Sequence, residues 1–344
     1  MLAIGILIKI FVVANVLMGA VAYLIWVERK IAAYSQDRIG PNRCGGEFGV
    51  PAGLLQPLAD GAKMMLKEGV VPAYVNKPLY ILAPVIAIIA ALLGFAVVPF
   101  GPVGPDQMLD FQIAPYLDIG IVWVFAVGSL AVYGVVLAGW ASNNKYSFIG
   151  GLRSSAQLIS YEIPLGLSIL GIVLVAGSLD LNAIIKWQDQ HVWGIVVSPL
   201  GFLIFLVSGF AETNRLPFDL PEAEQELVGG FHTEYSGMKF GMFFLGEYVH
   251  VITVSALTVI LFGGGWDLPF LPLSYDQTGV VPAIAKLTIF SGKVACVIVF
   301  MMWIRWTLPR FRYDQLMDLA WKSLIPLALL NLAATAIILQ IIRG

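Results

Sequence analysis

The sequence predicts an all-α polytopic membrane protein with eight transmembrane helices, and three observations support this fold class. Hydrophobic residues make up 59% of the chain and charged residues only 12%, whereas soluble domains are nearer to one half and one quarter. The chain contains eight apolar runs of about 20 residues, the length that a helix needs to cross a bilayer. Its Lys and Arg residues fall mainly in alternate loops, as they do in multi-pass proteins.

Each apolar run is long enough to satisfy its own backbone hydrogen bonds as a helix, which the bilayer interior requires. The predicted spans cover residues 2–27, 79–99, 116–140, 154–177, 193–212, 239–263, 282–304 and 321–342. The first run has an early Lys9 and an Ala20-Val21-Ala22 pattern that is typical of a signal peptide. Its apolar stretch continues to Val27, however, so we expect a retained first transmembrane helix.

The distribution of basic residues predicts the orientation of the chain. Fifteen of the Lys and Arg residues lie in or beside the loops that join odd-numbered to even-numbered spans. By the positive-inside rule these loops are cytoplasmic, and both termini face the opposite side of the membrane.

Residues that bind metals or form disulfides are scarce in this sequence. It has two cysteines, Cys44 and Cys296, and three scattered histidines. Neither set has the spacing of a metal site or of a disulfide framework. We therefore expect no metal, haem or iron–sulfur cluster on this chain, and no nucleic-acid partner.

Two of the predicted cytoplasmic loops are long, and long structured loops often carry function. They cover residues 28–78 and 213–238 of a single membrane domain, residues 1–344. Residues 213–238 are called the acidic segment below.

The first long loop contains a predicted amphipathic helix at residues 53–67, GLLQPLADGAKMMLK. Gln56, Asp60, Lys63 and Lys67 share one helical stripe, and apolar residues occupy the other side. The pattern fits a helix lying on the membrane surface. It fits equally a helix that lines the mouth of a cavity with its polar stripe turned inward, and periodicity does not separate these two interpretations.

Three glutamates lie in or at the end of predicted spans, where a charge is costly. Glu162 and Glu247 lie at similar depth in the fourth and sixth spans, and Glu212 closes the fifth. Carboxylates on successive spans are typical of proton relays, although each glutamate taken alone could merely fix helix packing. We expect His250 to be a hydrogen-bonded packing residue, and we leave the roles of Lys286 and Lys293 open.

The acidic segment concentrates the scarce negative charge of the chain. Its carboxylates are Asp219, Glu222, Glu224, Glu226 and Glu234. The residues between them are too apolar for a freely solvated loop, and Gly229-Gly230 permits close backbone approach. Because the segment joins the spans that hold Glu212 and Glu247, we predict that it connects with a buried proton path.

Five stretches of this sequence resemble those of a known family. They are ERKIAAYSQDRIGPNRCG (28–45), GLLQPLADGAKMMLKE (53–68), GWASNNKYSFIGGLRSSAQLISYE (139–162), AETNRLPFDLPEAEQELVGGFHTEYSGMKFGMFFLGEY (211–248) and LPRFRYDQLMDLAWK (308–322). They resemble the quinone-site membrane subunit of respiratory complex I, a component of bacterial NADH:quinone oxidoreductase and the counterpart of mitochondrial subunit one. The resemblance runs from about residue 20 to the end and keeps order and spacing.

The resemblance implies a subunit that is not catalytic alone but couples quinone reduction to proton translocation. It implies two sets of functional residues. The first set, on the membrane side of the quinone chamber, is Glu28, Arg29, Arg38, Asp60 and Lys63. The second set, a proton relay leading toward antiporter-like subunits, is Glu162, Glu212, Glu222, Glu224, Glu226 and Glu247.

The resemblance also implies the surroundings of the chain. Quinone is expected as the substrate, while NADH, flavin and iron–sulfur clusters belong to partner subunits. Peripheral-arm subunits are expected over the cytoplasmic loops, and other membrane-arm subunits beside the spans. The implied location is the inner membrane of a bacterial cell.

One departure and two alternatives accompany the resemblance. Some family members carry an acid in the third span where this sequence has Ala131, so a continuous relay within the chain is not assured. The chain could instead be the membrane anchor of a related hydrogenase or formate-linked complex. An independent secondary transporter is a third hypothesis, but the sequence has no convincing internal repeat of the kind many transporters show.

Overall fold

The computed structural model describes residues 2–46, 53–101, 112–115, 117–221, 224–268 and 279–343. The regular secondary structure of these residues is all helical, which confirms the predicted fold class. Seven helices are long and apolar enough to cross a membrane. These spans are Ile4–Ser35, Lys77–Ala96, Gly120–Ala141, Lys145–Ala176, Gly237–Phe262, Val280–Thr307 and Tyr313–Ile342.

Several shorter helices connect or extend these spans. In chain order the α-helices are α1 (Leu2–Ser35), α2 (Gln56–Leu66), α3 (Lys77–Leu93), α4 (Gly120–Ala141), α5 (Lys145–Ala176), α6 (Leu181–Gln190), α7 (Gly194–Val197), α8 (Pro199–Glu212), α9 (Glu224–Leu227), α10 (Gly237–Phe262), α11 (Val280–Thr307), α12 (Tyr313–Asp318) and α13 (Ile325–Arg343). A π-helical stretch, Leu319–Leu324, joins α12 to α13.

The predicted fifth span, residues 193–212, is broken rather than continuous. Pro199 lacks a backbone N–H and starts α8, so the chain forms the single turn α7 and then α8. The 14 residues of α8 extend ~21 Å, which is less than the ~30 Å hydrocarbon core. The side chain of Gln188 bridges the break, because its Oε1 accepts from Gly194 N at 2.9 Å and its Nε2 donates to the Ile260 carbonyl at 2.7 Å.

The core of the bundle lies between α3, α4, α5, α8 and α10, which pack against one another. The α10 helix is the most enclosed of the spans, whereas α1 and the span that contains α13 expose most of their apolar side chains. Those exposed apolar surfaces are suited to lipid or to neighbouring subunits. The predicted carboxylate-bearing spans are therefore the central ones.

The acidic segment is packed into one end of this bundle rather than solvated. Its apolar residues Phe218, Leu220, Leu227, Phe231 and Tyr235 are all buried. The Phe218 ring stacks on Phe311 and the Phe231 ring meets Phe243 edge-on, with centroid separations of 5.5 and 5.4 Å. Burial raises the pKa of the Tyr235 phenol, so this group stays protonated and donates to the Tyr80 carbonyl at 3.1 Å.

A glycine in α5 sets how closely the acidic segment approaches, which gives a first prediction. A Cβ on Gly150 would lie 2.7 Å from the Phe231 nitrogen and 2.8 Å from Gly230. We expect Gly150→Ala to push the segment outward and to destabilise the assembled protein by ~1–3 kcal/mol, measured as a lower thermal midpoint in detergent. Gly166→Ala in the same helix is the control, since its Cβ would meet only Phe125 at 4.0 Å; equal midpoints for the two variants would contradict the prediction.

Candidate functional site: a surface groove joined to a buried acidic cavity

An open groove of about 430 Å³ lies beside the part of α1 that follows its apolar run. Glu28, Arg29 and Arg38 of the predicted chamber residues line it. Aromatic and basic residues of α10 and α11 complete the wall, namely Phe244, Tyr248, Arg305 and Trp306. The groove therefore combines apolar surface with cationic groups, a lining suited to an amphipathic molecule with a polar head.

The polar stripe of α2 is turned toward this groove. Asp60 pairs with Arg29 at 2.6 Å and accepts from Gln56 at 3.0 Å. Leu58, Met65 and Leu66 on the other side are exposed, as a surface helix against lipid or a partner would require. Lys63, the fifth predicted chamber residue, is exposed on α2 and is not part of the groove wall.

The base of the groove is a buried ionic cluster. Glu28 is only 6% exposed, and it pairs with Arg305 and accepts a hydrogen bond from the Tyr248 hydroxyl. Arg215, from the acidic segment, lies 3.8 Å from the Glu28 carboxylate and 3.6 Å from that of Glu247. Its guanidinium also stacks over the Tyr248 ring at 4.1 Å. Arg215 thus links the groove to the first buried glutamate.

Behind Glu247 lies a closed cavity of about 60 Å³, called here the acidic cavity. It brings together all three glutamates predicted within the spans, from α5, α8 and α10: Glu162, Glu212 and Glu247. Ser129 of α4 donates a hydrogen bond to Glu162. Ala131, at the position of the noted departure, lines the same cavity. The volume is enough for several water molecules.

A second cavity of about 20 Å³ continues along α10 toward its outer end. Glu212 and His250 line both cavities, so they stand at the junction. Beyond them the wall is almost wholly apolar and includes Phe205 and Leu257, with Thr253 as the other polar side chain. Polar groups able to carry a proton therefore end near this junction.

The described carboxylates of the acidic segment itself are tied to neighbouring helices. Asp219 pairs with Arg310 at 3.2 Å, and Glu234 accepts from Asn144 at 2.7 Å. Glu226 pairs with Arg153 at 2.6 Å, and half of its side chain is exposed, away from the acidic cavity. Glu222 lies outside the described residues, and for Glu224 the structure describes only the backbone in α9.

Gln157 of α5 fastens the start of the acidic segment. Its Nε2 donates to the carbonyls of Ala211 and Phe218, both at 2.8 Å, and lies 3.2 Å from Asn214 Oδ1. The chain between those carbonyls includes Glu212 and Arg215. A neutral, fully buried amide thus positions one member of the relay and the arginine that faces it.

Sequence reasoning missed three members of this site: Arg215, Tyr248 and Arg305. Arg215 was visible as the only Lys or Arg among residues 213–238, a signal that a carboxylate-rich buried segment needs a counter-ion. Tyr248 and Arg305 gave no comparable sequence signal.

The remaining intramembrane cations do not serve this cluster in the same way. Lys293 donates to the Gly263 carbonyl at 2.7 Å and to the Asp267 carbonyl, and it lies 4.5 Å from the Trp193 ring centroid. It thereby fastens the end of α10 farthest from the groove. Lys286 is fully buried in α11. Across the described residues, no group of three or more His, Cys, Asp or Glu side chains could hold a metal ion.

The fold and the site define a class of protein: a polytopic membrane protein whose surface groove communicates with a buried carboxylate cavity. Comparison with known proteins narrows the class. The model of the family described as NADH dehydrogenase matches residues 8–336, and the chain belongs to this family.

Individual relatives agree and match nearly the full chain, and two of them are H-type components of NADH-quinone oxidoreductases. The chain is 51% identical over 319 residues to the one from Protochlamydia amoebophila, which covers 92% of each chain. It is 49% identical over 317 residues to the one numbered 1 in Cytophaga hutchinsonii, covering 91% of this chain and 90% of the relative. Subunit 8 of the Rhodothermus marinus enzyme is 45% identical over 338 residues, or 95% of each chain.

Proposed function

We propose that this chain is the membrane subunit of an NADH:quinone oxidoreductase that forms the membrane side of the quinone chamber and couples quinone reduction to proton translocation. The carrying observation is Arg215, which lies within 4 Å of both Glu28 in the groove and Glu247 in the acidic cavity. Family membership supplies the reaction, and this contact supplies a route by which the reaction acts on buried carboxylates.

The groove is the proposed binding surface for the quinone. Glu28, Arg29 and Arg38 line it directly, Asp60 orients Arg29, and Lys63 extends the polar stripe on α2. The electrons come from NADH through flavin and iron–sulfur clusters on peripheral-arm subunits, which dock over the acidic segment and α2. This chain binds none of those cofactors and contributes shape and charge.

Coupling follows from the shared arginine. Reduction of quinone to quinol consumes two electrons and two protons, so the charge in the groove changes during turnover. If Glu28 gives up a proton there, its full negative charge draws Arg215 closer. Glu247 then loses part of its counter-ion, and an uncompensated carboxylate in a poorly solvated site binds a proton.

The proton taken up by Glu247 passes to Glu212 and Glu162 across the acidic cavity, and from there to antiporter-like subunits of the membrane arm. Glu222, Glu224 and Glu226 of the acidic segment are proposed to feed this path from the cytoplasmic side. In this orientation both termini face the periplasm, as the positive-inside rule predicts for the inner membrane. Ala131 leaves water to bridge the interior of the cavity.

The alternative of a hydrogenase or formate-linked membrane anchor is not favoured. The relatives quoted above are all named as subunits of NADH-quinone oxidoreductase and match at 45–51% identity.

The test is Glu247→Gln in the assembled complex. The amide keeps the size and polarity of the side chain but cannot carry a proton, so we expect NADH:quinone turnover and proton pumping in membrane vesicles to fall ~100-fold or more. NADH oxidation by ferricyanide, which needs no quinone, serves as the control for assembly. An assembled Glu247→Gln complex that pumps normally would sink the proposal.

A further inference from the structure

His250 has a position that packing alone does not require. It follows Glu247 by three residues on α10, which places both side chains on the same face of the helix. It lines the acidic cavity with Glu162, Glu212 and Glu247, and it also lines the second cavity with Glu212. An imidazole at the junction of two cavities can contact water or carboxylates on both sides.

The hydrogen-bonding state of His250 points the same way. Within the described part of the chain, no protein group hydrogen-bonds to the His250 ring or to the Glu212 carboxylate, and neither has a nitrogen or oxygen sealed off from the cavities. A buried polar group normally has a partner. Since the protein supplies none, their hydrogen bonds are directed into the cavity space, which is large enough for water.

Histidine is suited to this place because its two ring nitrogens act on opposite sides. One nitrogen accepts a proton while the other releases one, and the ring returns to its neutral state by exchanging tautomers or turning. Glutamate and glutamine do not offer two such separated positions.

We propose that His250 is a proton-transferring member of the relay, standing between Glu247 and Glu212. A proton arriving from Glu247 binds one ring nitrogen, and the proton on the other nitrogen leaves for Glu212, directly or through one water. No electron moves, and one proton enters the ring for each that leaves. The inference rests on the function proposed above and adds to it a group that is not a carboxylate.

The placement also accounts for where the relay stops. Past His250 the second cavity is lined chiefly by apolar side chains, including Phe205 and Leu257. A proton on His250 therefore finds its acceptors sideways, at Glu212 and Glu162, rather than farther along α10.

The experiment uses the assembled complex in membrane vesicles, with NADH:quinone turnover and proton pumping as readouts. We expect His250→Gln to lower both ~10-fold, less than a lost general acid–base group commonly costs because water offers a parallel path. His250→Glu, which again carries a proton, should recover most of the loss. Thr258→Val is the control two turns along α10, since its hydroxyl bonds only the Val254 carbonyl at 2.7 Å and lines neither cavity.

Chemical rescue separates proton transfer from packing. His250→Ala leaves a space the size of a ring beside the acidic cavity, so added imidazole should restore turnover in a concentration-dependent way and have no effect on wild type. Normal pumping by His250→Gln would overturn the inference. So would assembled His250→Ala without rescue, or loss of assembly in both variants while Thr258→Val assembles, since each assigns His250 a packing role.

Failure of this inference is distinct from failure of the proposed function. If Glu247→Gln abolishes pumping and His250→Gln does not, only the role of His250 is wrong. If Glu247→Gln pumps normally, the carboxylate relay itself is wrong.

Discussion

Arg215→Met is expected to abolish coupled turnover and to destabilise the assembled complex by ~3–5 kcal/mol. Arg215 is 7% exposed and lies near two buried carboxylates, Glu28 and Glu247. Methionine fills much of the volume but removes the positive charge, so the two carboxylates lose a shared counter-ion and must take up a proton or repel each other. Thermal stability in detergent and proton pumping in vesicles measure the two effects.

The control for this variant is Arg312→Met. Arg312 pairs with Asp314 at 2.9 Å, but both side chains are largely exposed, so the loss should be no more than ~1 kcal/mol. Arg215→Lys should be intermediate, because an ammonium keeps the charge but lacks the planar fork that reaches both carboxylates. If Arg215→Met and Arg312→Met behave alike, Arg215 does not join the groove to the acidic cavity.

Gln157→Leu should have the second large effect, through position rather than charge. The substitution leaves the Ala211 and Phe218 carbonyls without their side-chain donor in a buried site, at a cost of ~1–3 kcal/mol for each carbonyl. Because these carbonyls flank Glu212 and Arg215, we also expect slower quinone turnover. Stability and turnover should therefore fall together.

Ser155→Ala, two residues away on α5, provides the comparison. Its hydroxyl is exposed and bonds only the Leu152 carbonyl at 3.0 Å, so neither readout should move. A Gln157→Leu complex with wild-type stability would show that other contacts hold the acidic segment.

The arrangement explains how a subunit with no redox cofactor of its own can take part in a redox-driven reaction. The groove holds charge where the substrate would bind, and the acidic cavity holds carboxylates that respond to charge. Arg215 is near enough to both to transmit a change, since the interaction of two charges at 4 Å in a poorly solvated site amounts to several kcal/mol. No large movement of helices is required.

Much of this could be predicted along the chain. Hydropathy and length identified seven long spans, and the same reasoning placed Glu162, Glu212 and Glu247 within or at the end of spans. The broken fifth span was predicted as continuous, because hydropathy averages over Pro199 and does not register a one-turn interruption. His250 was expected to be a packing residue, since a lone histidine in a sequence shows nothing of the cavities beside it.

The sequence alone determined the fold class, the membrane location and the residues with unusual chemistry, because burial of apolar side chains and the cost of intramembrane charge are properties of short stretches. Only the tertiary structure decided which of those residues meet. Glu28, Arg215 and Glu247 are separated by up to 219 positions in the sequence and come together only when α1, the acidic segment and α10 pack. Contacts between distant segments depend on side-chain packing in three dimensions, and no local pattern encodes them.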